Sequence, residues 1–271
     1  MTAGMPSGGA RSGRAHTCFR HDGGMTVNGV RIDPVDRVRF LETVDSFLSC
    51  GLSHVVHFLP ADPIVRAMDD RRYREALNAG ELNVPDGKSV VWALRLKSGY
   101  RSNRLAGPDA MELLVRKGEQ HRFRHFLFGG EPAVLTALRN RLQLRYPRIE
   151  LAGTESPPFR ALEAWELEEA AARIGAVNTQ LLWIGLGTPK QDLVADTLRD
   201  LSAAPVILCV GAAFDFLAGA KRRAPKWMQQ AGLEWLHRLG SEPGRLGRRY
   251  LVGNPRFMWG VAWELLSRRH A

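Results

Sequence analysis

The chain has 271 residues, of which 45% are hydrophobic and 24% charged, an ordinary composition for a globular protein of one large or two small domains. No apolar run approaches the roughly 18 residues that cross a bilayer, so we expect no membrane span. The net charge is +10, but residues 221–271 carry eleven Lys or Arg against three Glu, which leaves only +2 for residues 1–220. This asymmetry indicates a partner that carries phosphate groups.

The amino-terminal segment, residues 1–24, is rich in Gly, Ser and Arg and contains no continuous apolar stretch. A secretory signal needs such a stretch, so the segment is predicted to be a disordered leader. A transit peptide is the alternative, but the segment lacks amphipathic periodicity. The three cysteines show no CxxC spacing, so they do not indicate a zinc site.

After the leader, the hydrophobic pattern predicts strands that alternate with helices. The predicted strands are 27–32, 54–59, 82–84, 125–128, 149–152, 179–184 and 206–210. The predicted helices are 36–50, 63–78, 90–96, 132–146, 161–174 and 190–201. Asp62 is the expected N-cap of the second helix, with Pro63 at its first position. Because several strands are apolar throughout, we expect an α/β fold with a mostly parallel sheet that helices cover on both faces.

Turns with site-like sequences follow four of the predicted strands. They are Asp86-Gly87, Gly129-Gly130, residues 185–191 and residues 211–215. In a parallel sheet these turns share the carboxyl edge, where ligands bind. Glycines there let backbone N–H groups approach a phosphate at a helix N-terminus, although tight strand-to-helix turns also use glycine. Neither glycine turn is a Walker A sequence or a full GxGxxG.

Several side chains at this edge are candidates for chemistry. Asp86 is a candidate general base, and the alternative is a turn-forming Asp-Gly pair. Asp215 is likewise either a candidate general base or a residue that forms a turn. Lys190 and Gln191, at the start of a predicted helix, are placed to reach a ligand. His57 lies within an apolar strand, and we interpret it as a core histidine with a hydrogen-bond partner.

The basic tail, residues 221–271, interleaves cations with aromatic residues. Its cations include Arg222, Arg223, Lys226, Arg238, Arg245, Arg248 and Arg249, and its tryptophans include Trp227 and Trp235. Helices with a basic face and aromatic anchors suit an anionic membrane surface. The alternatives are a solvated basic face packed on the domain and a nucleic-acid-binding module.

The motifs together resemble the WecG/TagA/CpsF family of bacterial glycosyltransferases over residues 27–257. The matching motifs are Pro85-Asp86-Gly87 with Val91-Trp92, Ala106-Gly107-Pro108-Asp109, Phe128-Gly129-Gly130, GLGTPKQ at 185–191, GAAFDFLAG at 211–219, RAPKWM at 223–228 and GLEW at 232–235. The resemblance implies a Rossmann-like sheet and an inverting transferase. Such an enzyme moves a sugar from a UDP-sugar onto a hydroxyl of a polyprenyl-diphosphate-linked saccharide at the cytoplasmic membrane face.

The resemblance also assigns roles by position. Asp86 matches the candidate base, and Gln191 matches a glutamine near the reacting sugar. The expected substrate-binding residues are Arg104, Asp109, Gly129, Gly130, Gly185, Gly187, Lys190, Asp215, Arg222, Arg223, Arg245 and Arg248. Two positions depart from the pattern: many members have Thr-x-Asn where this chain has His57-Phe58-Leu59, and many have Glu where it has Asp192.

The expected organisation is a leader at 1–24, a transferase domain at 25–220 and a basic helical membrane-docking appendage at 221–271. The sequence has no DxD-type acidic pair, so we expect no obligatory metal, and no cofactor besides the UDP-sugar donor. Expected partners are the lipid-linked acceptor and an anionic membrane surface, not nucleic acid, and homo-oligomerisation stays open. The rival function is a nucleotide-binding oxidoreductase, but no acidic residue follows a true GxGxxG at about 20 residues.

Overall fold

The computed structural model describes residues 23–99 and 104–267. The predicted leader therefore falls almost entirely outside the described residues. The strands are β1 Met25–Val27, β2 Val30–Ile32, β3 His54–Leu59, β4 Leu82–Pro85, β5 Arg124–Gly129, β6 Glu150–Glu155, β7 Leu181–Gly185 and β8 Val206–Cys209. Six of them, β3 to β8, form one parallel sheet in the order β4-β3-β8-β7-β5-β6.

Helices connect the strands of this sheet and continue beyond it. They are α1 Arg37–Ser49, α2 Ala61–Asp69, α3 Arg71–Ala79, α4 Lys88–Ser98, α5 Gly107–His121, α6 Pro132–Arg145, α7 Ala164–Ala176, α8 Lys190–Asp200, α9 Ala213–Ala218, α10 Lys226–Ala231, α11 Glu234–Ser241, α12 Pro243–Leu251 and α13 Gly253–Ser267. The predicted α/β class, the parallel sheet and the helical carboxyl-terminal segment are confirmed. Within the described ranges, no helix is long and apolar enough to cross a membrane.

Three local predictions were wrong. The segment 27–32 is not one strand, because Asn28 and Gly29 adopt positive φ angles of 49° and 81° and form the turn of the β1–β2 hairpin. The segment 63–78 is two helices, and the side chain of Asp70 caps the second by accepting the Tyr73 N–H at 2.9 Å. Asp62 is therefore not an N-cap but lies in the first turn of α2.

The helix α5 was not predicted. Its sequence begins Gly107-Pro108-Asp109, and although glycine and proline often mark loops, proline is well tolerated in the first turn of a helix. Gly107 has a packing reason to be glycine, because a Cβ there would lie 3.1 Å from the Val210 carbonyl oxygen at the end of β8. The start of α5 therefore lies directly against the carboxyl edge of the sheet.

Two hydrophobic clusters cover the two faces of the sheet. One includes Val44, Leu114 and Trp183, and the other includes Ile174 and Ile207. This agrees with strands that are apolar throughout.

A third cluster joins the β1–β2 hairpin and α2 to α4 with α13 at the other end of the chain. Phe257 and Val261, one turn apart on α13, are fully buried in it. The Asn28 side chain also donates a hydrogen bond to the Phe257 carbonyl at 3.1 Å, and Lys97 pairs with Glu264. The boundary at 220/221 stays a prediction, but the end of the chain shares a core with residues 25–94.

Candidate active site

The sheet reverses its winding between β5 and β7. The connection after β7 leads through α8 to β8 on one side, whereas the connection after β5 leads through α6 to β6 on the other. A crevice forms outside the carboxyl ends of the strands at such a point, and ligands of open α/β sheets bind there. Gly129 and Gly185 are paired at this position, so both predicted glycine turns begin at the switch point.

The four glycines of these turns differ in what surrounds them. A Cβ on Gly129, which has a φ of 118°, would lie 2.8 Å from the Gly185 carbonyl carbon. A Cβ on Gly185 would lie 2.5 Å from the Phe214 ring, so close packing explains both residues. Gly130 and Gly187 also have positive φ angles, of 76° and 73°, but a Cβ on Gly187 would meet no atom within 4 Å. The backbone at Gly187 is therefore the most open to a ligand.

The helix α8 begins directly after the second turn and positions Lys190 and Gln191. The Gln191 backbone N–H donates to the Gly187 carbonyl at 2.9 Å, and its side chain is buried beside Gly211. Its Oε1 atom has no hydrogen-bond partner among the described residues. Lys190 Nζ donates hydrogen bonds to the Pro158 carbonyl at 3.0 Å and to the Arg160 carbonyl. In this structure Lys190 therefore binds the loop after β6.

Asp86 lies just after β4, at the same edge of the sheet. Its backbone N–H donates to the Leu59 carbonyl at 3.1 Å, and its Oδ2 faces the Gly107 N–H of α5 at 3.4 Å. Burial raises the pKa of the Asp86 carboxyl to about 6, Arg104 acts in the opposite direction and the charge of Glu234 raises the pKa further. A carboxyl with such a pKa is ionised at neutral pH and can accept a proton.

Four charged side chains form a group beside Asp86, which we call the Glu234 network: Arg104, Asp109, Arg223 and Glu234. Arg223 binds Asp109 through two hydrogen bonds of 2.6 and 2.9 Å. Glu234 Oε2 lies 2.7 Å from Arg104 Nη1, and its Oε1 lies 3.5 Å from Arg223 Nε. Arg223 and Glu234 belong to the carboxyl-terminal segment, so this segment contacts Arg104 and Asp109 beside the candidate base.

These contacts also set the ionisation of the network. Burial opposes the charged form of Asp109, but the hydrogen bonds and charge of Arg223 outweigh it and lower the pKa of this carboxyl. The pKa of Arg223 is raised because Asp109 and Glu234 outweigh the effect of its burial. All four side chains are less than one-third exposed, so solvent screens these charges incompletely.

Three further predicted site residues, Asp215, Arg222 and Arg248, have side chains that the structure describes. Asp215 pairs with Lys221 at 3.2 Å, and Lys221 also pairs with Glu242 at 3.0 Å. Arg222 and Arg248 are exposed to solvent. The Arg245 side chain lies outside the described part of the structure. Asp86, Arg104, Asp109 and Arg223 are thus brought together, and the roles predicted for the other arginines stay predictions.

Glu234, the acidic residue of the GLEW motif, was not predicted as a site residue. The available signal was that Glu234 is one of only three acidic residues in the strongly basic tail.

A buried polar group lies beneath the edge of the sheet. The His57 Nδ1 is 2.9 Å from Asp192 Oδ1, and the Tyr73 hydroxyl donates to Asp192 Oδ2 at 2.6 Å. This agrees with the interpretation of His57 as a core histidine with a partner. Ligand atoms of His57, Asp192 and Cys209 lie within 4.8 Å of one another, but hydrogen bonds already use both Asp192 oxygens. That no metal is required stays a prediction.

The parallel sheet, with glycine turns at its switch point, places the chain in the Rossmann-like class of α/β proteins. The model of the glycosyl transferase WecG/TagA/CpsF family matches residues 25–271, nearly the whole chain. The chain therefore belongs to this family and is a glycosyltransferase. This confirms the resemblance and favours the glycosyltransferase over the oxidoreductase.

Proposed function

We propose that the enzyme transfers a sugar, with inversion, from a UDP-sugar to a hydroxyl of a polyprenyl-diphosphate-linked saccharide in the synthesis of a cell-surface polysaccharide. The observation that carries this proposal is the position of Asp86. It is a carboxyl group with a raised pKa at the ligand-binding edge, with Arg104 and Arg223 near it. Family membership supports sugar transfer, and the UDP-sugar and the lipid-linked acceptor are the proposed substrates.

Inversion at the anomeric carbon is a single displacement. One carboxylate takes the proton of the acceptor hydroxyl, and positive groups stabilise the departing UDP. Asp86 performs the first task in this proposal. The backbone N–H groups at Gly129-Gly130 and Gly187 perform the second, and Gln191 orients the sugar. The tail arginines hold the diphosphate of the acceptor. The reaction also requires that water be excluded, because hydrolysis of the donor would compete with transfer.

Replacing Gly187 by Val tests the donor pocket. The side chain would enter open space in front of the turn and force a β-branched residue into a positive φ, so we expect UDP affinity to fall about tenfold or more. Isothermal titration calorimetry with UDP measures this loss of affinity. Titration of the wild type with NAD(P) tests the alternative function, a nucleotide-binding oxidoreductase. Gly51→Val is the matched control, because Gly51 has a φ of 76° with no atom near its Cβ and lies before β3, at the opposite edge. Equal UDP affinity in wild type and Gly187→Val would show that UDP does not bind at this turn.

The proposed location is the inner face of the plasma membrane, held by the carboxyl-terminal segment. On α13, Trp259, Trp263 and Leu266 follow helical spacing, and the two tryptophans are 73% and 65% exposed. They lie on the side opposite the buried Phe257 and Val261. An exposed aromatic face next to basic residues suits an anionic bilayer, where each Lys or Arg contributes about 1 kcal/mol.

Replacing both Trp259 and Trp263 by Ser tests this docking face. We expect binding to anionic liposomes and transfer to a lipid-linked acceptor to fall together, with UDP affinity unchanged. Trp165→Ser is the control, because Trp165 is similarly exposed but lies on α7. Deleting the whole segment from Lys221 is a poorer test, since it would uncover the third hydrophobic cluster. Undiminished liposome binding by the double variant, or equal retention on duplex DNA, would contradict the proposal.

A further inference from the structure

Glu234 occupies an unusual position between two arginines that come from distant parts of the chain. Arg104 precedes α5 in the main domain, whereas Arg223 precedes α10 in the carboxyl-terminal segment. The two Glu234 oxygens face one arginine each, at 2.7 Å from Arg104 and 3.5 Å from Arg223. Two guanidinium groups that converge on one pair of oxygens are the arrangement that proteins use to bind phosphate.

Glu234 does not satisfy all the hydrogen-bonding groups that it contacts. The contact between Glu234 Oε2 and Arg104 Nη1 is a close ion pair without the geometry of a hydrogen bond, and among the residues that the structure describes the buried Arg223 Nε has no hydrogen-bond partner. A buried donor without a partner is destabilising, and an aligned acceptor would relieve this cost. By contrast, the Arg223–Asp109 contact has the two-bond geometry that arginine forms with carboxylates. Glu234 is therefore the less well-fitted of the two carboxylates on Arg223.

We propose that the Glu234 carboxylate stands in for a phosphate group of the acceptor diphosphate when no acceptor is bound. The incoming phosphate takes the place between Arg104 and Arg223 and displaces Glu234, with no covalent change. Each phosphate of the acceptor diphosphate has two non-bridging oxygens besides its bridging oxygen, so one oxygen can face Arg104 while another accepts from the Arg223 Nε that Glu234 leaves without a hydrogen bond. The assignment to the acceptor rests on the proposed function. It is supported by position, since the network lies at Asp86 and β4, three strands away from β7 and its glycine turn.

The test is the affinity of Glu234→Gln for a short prenyl diphosphate, farnesyl diphosphate, measured by calorimetry without turnover. Removing the competing charge is expected to tighten binding about tenfold and to leave UDP affinity unchanged. Glu242→Gln is the matched control, because it removes the same charge from the same segment but at Lys221. Unchanged or weaker farnesyl diphosphate binding by folded Glu234→Gln would overturn the proposal, because a purely structural Glu234 predicts that result.

Two further ligands, UDP and inorganic pyrophosphate, show whether the phosphate that displaces Glu234 belongs to the donor or to the acceptor. Tighter binding of UDP instead of farnesyl diphosphate would assign the site to the donor and overturn the acceptor assignment. Glu234→Gln could also bind inorganic pyrophosphate more tightly than the wild type does, while neither protein binds farnesyl diphosphate. That result would support a phosphate site between the two arginines but would contradict a lipid-linked acceptor. If Glu234→Gln does not fold, Glu234→Asp keeps the charge on a shorter stem. It should bind farnesyl diphosphate several-fold more tightly than the wild type, and equal affinity would overturn the proposal.

Discussion

Replacing Asp86 by Asn is expected to lower turnover about a hundredfold or more, with the fold and UDP affinity intact. The amide keeps the shape of the carboxyl group but cannot take the proton of the acceptor hydroxyl. Because burial raises the pKa of Asp86 from 3.8 to about 6 in the folded protein, ionisation of this group lowers stability as the pH rises between these values, and the full penalty is present above about 6. A neutral Asn at this position is therefore not expected to destabilise the enzyme at neutral pH.

The pH profile gives the same experiment a second readout. A general base works only when it is deprotonated, so kcat/KM of the wild type should fall about tenfold per pH unit below the Asp86 pKa of about 6 and level off above it. The residual activity of Asp86→Asn should lack this step. Asp215→Asn is the comparison variant at the same edge, and because the carboxylate of Asp215 is paired with Lys221, this variant should keep the step in the pH profile. Turnover like that of the wild type in Asp86→Asn would exclude the assignment, and Asp215 would be the next candidate.

Much of the fold follows from local sequence patterns. The buried strands β3, β5, β7 and β8 were predicted because each is a short apolar run bounded by turn residues. The turns that follow the strands were placed at one edge because parallel strands end together. The break between α2 and α3 was missed because Asp70 lies inside a pattern with one continuous helical period.

The contacts within the site could not be predicted in this way. Arg104 and Glu234 are 130 positions apart, and no local spacing connects them. The composition of the tail indicated a separate basic appendage, whereas α13 contributes Phe257 and Val261 to the core. The spacing of these two residues, four positions apart, is the signal of a buried helical face. The net charge of a segment predicts the character of its surface. It does not predict whether the segment packs on the domain, because that depends on the direction in which its few apolar side chains point.

His57, from the His57-Phe58-Leu59 departure, and Asp192, the second departure from the family pattern, are in direct contact. They are 135 positions apart in sequence, and the hydrogen bond between them is 2.9 Å. A Cβ on Gly80 would lie 2.6 Å from the His57 ring, so the chain leaves room for an imidazole at this position. His57 and Asp192 therefore form one structural unit, and Asp192 directly follows Gln191 in the first turn of α8. Its disruption is expected to affect the stability of the whole domain.

Replacing Asp192 by Ala is expected to lower the free energy of unfolding by about 3–5 kcal/mol, because it leaves the buried His57 and Tyr73 donors without an acceptor and opens a cavity. Tyr73→Phe removes one of the two hydrogen bonds and should cost about 1.5–3 kcal/mol, since its acceptor is a carboxyl group. Urea unfolding measures both. Asp200→Ala, at the exposed end of the same helix, is the control and should change stability by about 0.5 kcal/mol or less. A loss below about 1 kcal/mol for Asp192→Ala would show that solvent or a rearranged neighbour replaces the carboxyl, and that the His57–Asp192 contact does not hold α8 in place.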